Sequence, residues 1–583
     1  MVIAHHRPNR LAHWYEKTKY PGLALVVLVF VLYGPSLFGG FILDDLRNLR
    51  LLRAYHVGEH ESLGLYQFLS GGEHNRNLRE AGGLSWWWVG DDLRYKHLRS
   101  VSEYYLYGEF LVFGDRALGY RLVGVALYAF GVLLVLRLFR LMSGDERLSR
   151  WGALVFSVAA CHVIPVIFVS SHCDVIALVF ACGSLLLAGQ FAQRGGSWRL
   201  GLALLGYGMG LFSKEAVLPV AALPLCLWIV FRGVPGAGRR TAISTTCFVF
   251  LALTWLAYYV VGGFGSNALM MQDPLHTPWE YLAALPGRAV LLLSTWLIPV
   301  NPFLFRFHHG WSAYLTVYGV VGAIGLAILA RMYWRRHRGD RGVVAMALWV
   351  LPFLPLLACT APDDRVMMLP SIGFAFLGAV WMTRPRPDGS RRLRRFPFAL
   401  FVVVQMAVVL VTSGVMQFME LEARKHLRMM VAAFGREPEP GDHIFFLNTA
   451  RSFEGLMTQD RLRRVSGTDR IRVSVLSDIA WPRVEVVDER TLRLEARVAP
   501  FFSSFLGLMG TSRDRPRKEG DIVIAAGFQG RIARMEDGAV KAVELVFDKP
   551  ITSDSYRFFW SDSNKPPAEW KVVREAGSWR FSY

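Results

Sequence analysis

The sequence predicts an all-α polytopic membrane domain followed by a small β-rich domain, and three observations carry that prediction. The 583 residues are 53% hydrophobic and only 19% charged, with mean hydropathy +0.31, the composition of a chain that lives in lipid. Eleven apolar stretches long enough to cross a bilayer lie between residues 21 and 416. Beyond residue 440 the apolar residues fall instead into short alternating or β-branched runs separated by turn residues.

The apolar stretches run near 21–40, 119–139, 150–169, 175–192, 198–213, 215–232, 242–262, 313–331, 343–360, 366–383 and 397–416. Only Ser213-Lys214-Glu215 separates the fifth from the sixth, which reads as a tight hairpin. The segment Ala289–Val300 has about a dozen apolar residues and ends among Pro299 and Pro302, which suits a re-entrant or interfacial segment better than a span. Residues up to Tyr20 are polar and basic, and the apolar run after them lacks a small-residue cleavage site. The first span is therefore expected to be uncleaved.

Arginine supplies most of the formal charge of +19. Clustered beside apolar segments, it sets membrane orientation rather than binding nucleic acid. With the N-terminus cytoplasmic and eleven spans, the clusters Arg140/Arg147, Arg194/Arg199, Arg232/Arg239/Arg240, Arg335–Arg341 and Arg384–Arg395 all fall on the cytoplasmic side. Counting Ala289–Val300 as a span would put the last two outside. The loop 41–118 carries arginines on the outer side, but loops of that length escape the positive-inside rule. The expected address is a multi-pass protein of a bacterial inner membrane with its C-terminal domain extracytoplasmic. All six cysteines lie in or beside apolar segments with no zinc-like spacing, and none follows residue 417, so the C-terminal domain is expected to fold without disulfides.

This topology brings four polar clusters out on one face: Asp44-Asp45, Ser170-Ser171-His172-Cys173-Asp174, Ser213-Lys214-Glu215 and Asp363-Asp364-Arg365. Charged residues gathered at span ends describe a site. Asp44-Asp45 is read as the end of the first span, where carboxylates face the negative end of the helix dipole at about 0.3–1 kcal/mol each. Such a pair suits a general base, a metal ligand or a cation clamp; the plain alternative is a solvated helix end. In the loop 41–118, Trp86-Trp87-Trp88 is expected to anchor at the membrane interface or to wall a ligand.

After the last span a connecting helix near 417–435, within a 417–440 linker, leads to a β-rich domain over 441–583. Its expected strands are His443–Asn448, Arg470–Leu476, Arg483–Val487, Thr491–Val498, Asp521–Ala525, Val540–Phe547 and Tyr556–Trp560, with Glu536-Asp537-Gly538 as a turn. The aromatics Trp481, Phe501, Phe502, Phe528, Trp560, Trp570 and Trp579 are expected in its core rather than stacked on sugars.

Phe41–Asp45, Arg99 through Gly119-Tyr120-Arg121-Leu122-Val123, Phe168-Val169-Ser170 with Asp174, Leu211-Phe212-Ser213-Lys214-Glu215, and Asp364–Phe374 stand in the order seen in one family. Over residues 20–416 the chain resembles the C-type-fold (GT-C) integral membrane glycosyltransferases. Within them it is similar to protein O-mannosyltransferases and their transmembrane relatives that carry tetratricopeptide repeats. It departs from them at Ser100, Ile164 and His172, and the β-rich domain stands where the repeats would be.

The resemblance implies a GT-C-like membrane domain over 1–416 with a large first outer loop. It also implies an inverting transferase that moves a sugar, mannose among the candidates, from a polyprenyl-phosphate carrier to a protein, glycan or lipid acceptor. Asp44 would be the general base and Asp45 its orienting partner. Arg99, Lys214 and Arg365 would hold the donor phosphate, with Asp174, Glu215 and Asp364 holding those cations and His172 at the sugar or phosphate. No ligand spacing points to a metal, although a divalent cation, magnesium or manganese, bridging Asp44-Asp45 and phosphate stays open. Two other readings stay open too: a transporter or lipid-carrier flippase, against which the lack of internal repeats speaks, and a non-catalytic membrane scaffold presenting the β-domain.

Overall fold

The computed structural model describes residues 15, 17–302, 312–337, 339–359, 363–384, 392–437, 439–449, 460–462, 471–561, 568–575 and 578–582. Among them, six helices are long and apolar enough to cross a membrane: Pro21–Phe38, Ala117–Ser143, Val169–Arg194, Ala237–Val261, Ala313–Arg335 and Pro397–Phe418. Glu146–Ser157 and Ala160–Ile167, bent by 56°, make a seventh if taken together. The chain is an integral membrane protein.

By length and composition, the described residues give fewer spans than the eleven expected, and proline supplies much of the reason. The 215–232 stretch is a 3₁₀ segment, Glu215–Ala222, containing Pro219, followed by a short helix from Pro224. Pro352 and Pro355 divide the 343–360 stretch into pieces, and the helix Ser371–Thr383 starts only after Pro370. Proline lacks the N–H and clashes with the preceding turn, so each stretch is helical but broken or short. Ser197–Leu211 is a helix of only 15 residues. Ala289–Val300 falls across the end of the helix Pro278–Ser294, which starts well before the apolar segment, with proline at its first turn.

Local signals close the long helices where they should. Ala117–Ser143 ends at Gly144 in the left-handed region, and Asp145 caps the next helix by accepting from Leu148 N–H at 3.1 Å. Buried polar groups tie the bundle across its helices. The Tyr128 hydroxyl meets His162 Nδ1 at 2.7 Å, and His162 Nε2 meets Ser371 Oγ at 2.9 Å.

Three strands from the membrane half, β1 (Gln67–Ser70), β2 (Arg94–Lys96) and β3 (Gly265–Ser266), form a small antiparallel sheet. The C-terminal half carries two five-stranded sheets. The strands are β4 (His443–Phe446), β5 (Arg472–Val475), β6 (Arg483–Val486), β7 (Thr491–Glu495), β8 (Ile522–Ala525), β9 (Phe528–Glu536), β10 (Ala539–Phe547), β11 (Tyr556–Trp560), β12 (Ala568–Glu575) and β13 (Ser578–Ser582). One sheet has the order β6-β7-β10-β9-β8, all antiparallel; the other runs β13-β12-β11-β4-β5, with β4 parallel to both β11 and β5.

The strands β9, β12 and β13 were not expected from the sequence. In β9 the alternation Phe528, Gly530, Ile532 inward against Gln529 and Arg531 outward is the signal that marks it. Asp537 and Gly538, at φ 52° and 74°, make the tight β9–β10 turn. Phe501, Phe502, Phe528 and Trp560 are buried as expected, while Trp481 is 54% exposed. Trp570 is half-buried and stacks on Trp560 at 4.7 Å; the Trp579 side chain lies outside the described residues.

Two further expectations change. Trp87 and Trp88 are buried against the C-terminal domain, not spread at a membrane interface. Trp87 Nε1 donates to Leu476 O at 3.0 Å and Trp88 Nε1 to Leu506 O at 3.3 Å, while Trp86 bridges to Val475. Trp87 sits over Gly530, where a Cβ would lie 2.3 Å from the indole. The Trp87 and Trp88 indoles, with the Trp86 backbone bridge, thus fasten the first loop to the C-terminal domain, because burying each of these two rings while satisfying its N–H outweighs placing it in lipid. The connecting helix is likewise no separate element. One 41-residue helix, Arg392–Ala432, includes the last span and delivers Leu427 and Met430 into the C-terminal core.

Candidate functional site

The acidic pair opens a helix rather than closing one. The first span turns 3₁₀ at Gly34–Phe38, the chain bends at Gly39-Gly40, and Asp44 and Asp45 begin the helix Asp44–His56. They therefore face the positive end of its dipole, which favours the carboxylates by roughly the 0.3–1 kcal/mol that the opposite placement would cost. Two arginines from distant elements form the bend. Arg121 donates to Ser36 O at 2.9 Å and to Gly40 O, and a Cβ at Gly40 would meet the Arg424 guanidinium at 2.3 Å. Leu43, just before the pair, has φ 45°, a conformation costing a non-glycine residue about 1–3 kcal/mol and found where structure holds a functional group in place.

The two carboxylates have different surroundings. Asp45 is 1% exposed. It accepts from Ile42 N–H at 3.1 Å and from both Ser170 N–H (2.7 Å) and Ser170 Oγ (2.6 Å), while Asn48 donates to the same hydroxyl at 3.1 Å. It staples the new helix to the start of the 169–194 span. Asp44 is half-buried, and among the described residues no hydrogen bond or ion pair holds its carboxylate. Burial pushes it up to about 6, opposed by Arg47 and Arg365 and helped by Asp45 and Asp460.

Arg47, which sequence reasoning passed over, lies one turn after Asp44. It donates to Leu65 O (2.8 Å) and Gln67 O (3.1 Å) and packs 4.4 Å over the Phe68 ring. Its spacing of i+3 from Asp44 was the available signal. Tyr95 on β2 was also missed. Its ring is set edge-on against Phe68 and His97, and its hydroxyl lies in the combined field of Arg365, Arg99, Asp44 and Glu215.

The expected cations are each held by a carboxylate. Arg99 donates twice to Glu215 Oε2, at 3.0 and 2.8 Å, with its guanidinium 5.1 Å from the Tyr66 ring; His97 Nδ1 lies 3.0 Å from Glu215 Oε1. Lys214 pairs with Asp174. Arg365 pairs with Asp363 at 2.6 Å and feels Asp174 as well as Asp44. The Arg365 partner is therefore Asp363 and not the expected Asp364, whose carboxylate is buried and takes Asn301 Nδ2 at 2.8 Å. Burial, with Asp363 beside it, pushes Asp364 well above the usual carboxylate range.

His172 does not face this group. Its ring is fully buried, Nδ1 lies 3.5 Å from Glu109 Oε2, and Nε2 occupies the space that a Cβ at Gly124 would need. Contact with a sugar or phosphate would require it to leave that pocket. Asp45 accepts three hydrogen bonds, from Ile42 N–H, Ser170 N–H and Ser170 Oγ, and among the described residues no group of three or more His, Cys, Asp and Glu side chains could hold a metal ion.

No protein-family model matches the chain, and no curated protein matches it in sequence. Solved structures with some likeness in overall shape include the oligosaccharyltransferase of Archaeoglobus fulgidus tethered with an acceptor peptide containing the NVT sequon (11% identity, TM-score 0.40, 80% of this chain and 65% of that one). ArnT from Cupriavidus metallidurans bound to undecaprenyl phosphate gives 11% identity and TM-score 0.39, over 79% of this chain and 86% of that one. The arabinofuranosyltransferase AftD from Mycobacteria gives 13% identity and TM-score 0.37, over 95% of this chain and 42% of that one. This chain thus spans 65% of the archaeal enzyme's length. Likeness at this level carries no functional assignment.

Proposed function

We propose that the protein is a GT-C-type membrane glycosyltransferase that moves a sugar from a polyprenyl-phosphate carrier to a hydroxyl acceptor at the membrane surface. One observation carries the reading. Asp44 is a half-buried carboxylate with no bonded partner among the described residues, held at a helix N-terminus by a strained residue and placed in the field of Arg365. A group meant only for structure would be paired, as Asp45 is.

In this reading the acceptor hydroxyl gives its proton to Asp44 as its oxygen bonds the anomeric carbon, while the bond from that carbon to the phosphate oxygen breaks. The carrier leaves as polyprenyl phosphate. Its developing charge is met by Arg365, the most exposed of the three cations at 39%, with Arg99 and Lys214 behind it at 14% and 12%. Their carboxylate partners keep the cations in place before the anion arrives. A single displacement inverts the anomeric centre.

The test is transfer from a panel of labelled polyprenyl-phosphate sugars, mannose included, by purified protein in detergent. Release of polyprenyl phosphate with labelled product, lost in Asp44→Asn, supports the reading. No turnover with any donor, or equal turnover by Asp44→Asn, removes it.

A further inference from the structure

Between the spans Ala237–Val261 and Ala313–Arg335 the chain turns an apolar surface outward. Leu275 is 63% exposed, Trp279 81% and Leu282 49%. In the helix Pro278–Ser294, Trp279, Leu282, Ala283 and Pro286 share one face at i, i+3, i+4 and i+7, and all four are exposed. Another face of the same helix holds the buried Tyr281, Ala289 and Leu292, with the Tyr281 hydroxyl donating to Pro355 O at 3.0 Å. From 278 to 287 the only charged residue is Glu280, and Arg288 turns back to donate to Met270 O at 3.2 Å.

The loop that leads into this helix is bonded on both sides. Asn267 Nδ2 donates to Asp514 Oδ2 (2.7 Å) and Ser512 Oγ (3.2 Å) in the C-terminal domain, and Leu269 N–H donates to Thr511 O at 2.9 Å. Asn267 Oδ1 accepts from Arg94 N–H on β2 at 2.7 Å. A few residues on, Gln272 N–H donates to Cys359 O at 2.9 Å, at the end of a membrane-domain helix. Asp273 Oδ1 then accepts from Leu275 N–H (2.8 Å) and His276 N–H (3.2 Å), which fixes the turn carrying Leu275.

The flanking elements decide what covers the outward surface. The span before it ends with Tyr258, Val260 and Val261 exposed, and the helix after it exposes Val317, Val321 and Ile324. That second helix takes Leu291 and Leu297 against its glycines, where a Cβ at Gly319 or Gly325 would lie 3.6 or 3.0 Å away. An apolar helix face set between two lipid-facing spans continues their lipid contact, and a tryptophan flanked by His276 and Glu280 has the composition of a membrane interface. We propose that Leu275, Trp279, Leu282, Ala283 and Pro286 are seated in the lipid of the membrane face that bears the C-terminal domain. The bilayer thereby holds the 267–272 loop against that domain and β2. This does not depend on what the protein transfers.

The experiment uses the full chain in nanodiscs of phosphatidylethanolamine and phosphatidylglycerol, with the two incompletely buried cysteines removed as Cys247→Ala and Cys359→Ala. Spin labels are placed singly through Leu275→Cys, Trp279→Cys and Leu282→Cys. Phe250→Cys, exposed in the middle of a span, and Val498→Cys, exposed in the C-terminal domain, serve as lipid and water references. Collision with oxygen, which partitions into lipid, is compared with collision with a water-soluble nickel chelate. The oxygen-to-nickel ratio at the three positions should stand well above that at Val498 and near that at Phe250. In a second measurement, Leu275→Ser with Trp279→Ser should speed hydrogen exchange over 267–272 and 511–514 by about tenfold in nanodiscs, the factor that about 1.4 kcal/mol of lost anchoring gives. A ratio equal to that at Val498 would place the surface in water, and low collision with both reagents would place protein over it, a second copy included; either overturns the proposal, as does unchanged exchange in the double variant.

Discussion

Asp44→Asn separates the proposed chemistry from everything the residue does for the fold. The carboxyl is pushed up to about 6, so it is about one-tenth ionised at pH 5 and about nine-tenths at pH 7. If it takes the acceptor proton, kcat/KM should rise about tenfold between those values along a single limb centred near pH 6. Asparagine keeps the shape and cannot accept the proton, so transfer should fall about 10²-fold or more at pH 7, and the limb should vanish from what remains. Stability should move the other way. A carboxyl whose folded value is raised binds its proton more tightly folded than unfolded, so its charge works against the fold increasingly from about pH 4 to about pH 6. Removing the charge relieves that burden, against about 0.3–1 kcal/mol of lost interaction with the helix N-terminus. Asp44→Asn should thus be no less stable than wild type above pH 6. The assay is labelled-sugar transfer in detergent from pH 4.5 to 8, beside thermal unfolding of the same preparations. A wild-type profile flat through pH 5–7, or an Asp44→Asn profile that keeps the limb, would refute the role of Asp44 as base.

Arg47→Gln removes the cation that most opposes the rise in Asp44, so the acidic limb should move to higher pH, with activity recovered by raising the pH; an unmoved limb would show that Arg47 does not act on Asp44. Asp45→Asn leaves Ser170 and Ile42 without their charged acceptor and should destabilise the fold by about 1–3 kcal/mol, seen as lower unfolding temperature together with lower transfer. Trp87→Ala should cost about 3–5 kcal/mol and expose the junction between the first loop and C-terminal domain to protease, with the helical bundle left intact. A β-branched residue at Gly530 would collide with the same indole, so Gly530→Val should produce a similar protease pattern.

Composition and periodicity determined the larger divisions of this protein, because burial in lipid and burial in a sheet each impose a local pattern on the chain. The apolar run that became Ala117–Ser143 is legible as a span since a helix needs only its own residues to satisfy its backbone. The β10 and β11 strands are legible through apolar and aromatic runs, and the β9–β10 turn through its Asp-Gly pair. The polar clusters at Asp44, Asp174, Lys214 and Arg365 stand out because charge beside apolar sequence needs a reason. Tertiary structure decided the rest. Whether Asp44-Asp45 ends one helix or starts another depends on a bend at Gly39-Gly40 formed by Arg121 and Arg424, two side chains remote in sequence. Which carboxylate holds Arg365, why His172 turns toward Glu109, and why Trp87 and Trp88 pack into the C-terminal domain rather than lipid are likewise matters of who arrives beside whom. A charge or an indole states its need for a partner in the sequence; only packing across the whole chain chooses the partner, since competing partners differ by no more than a few kcal/mol.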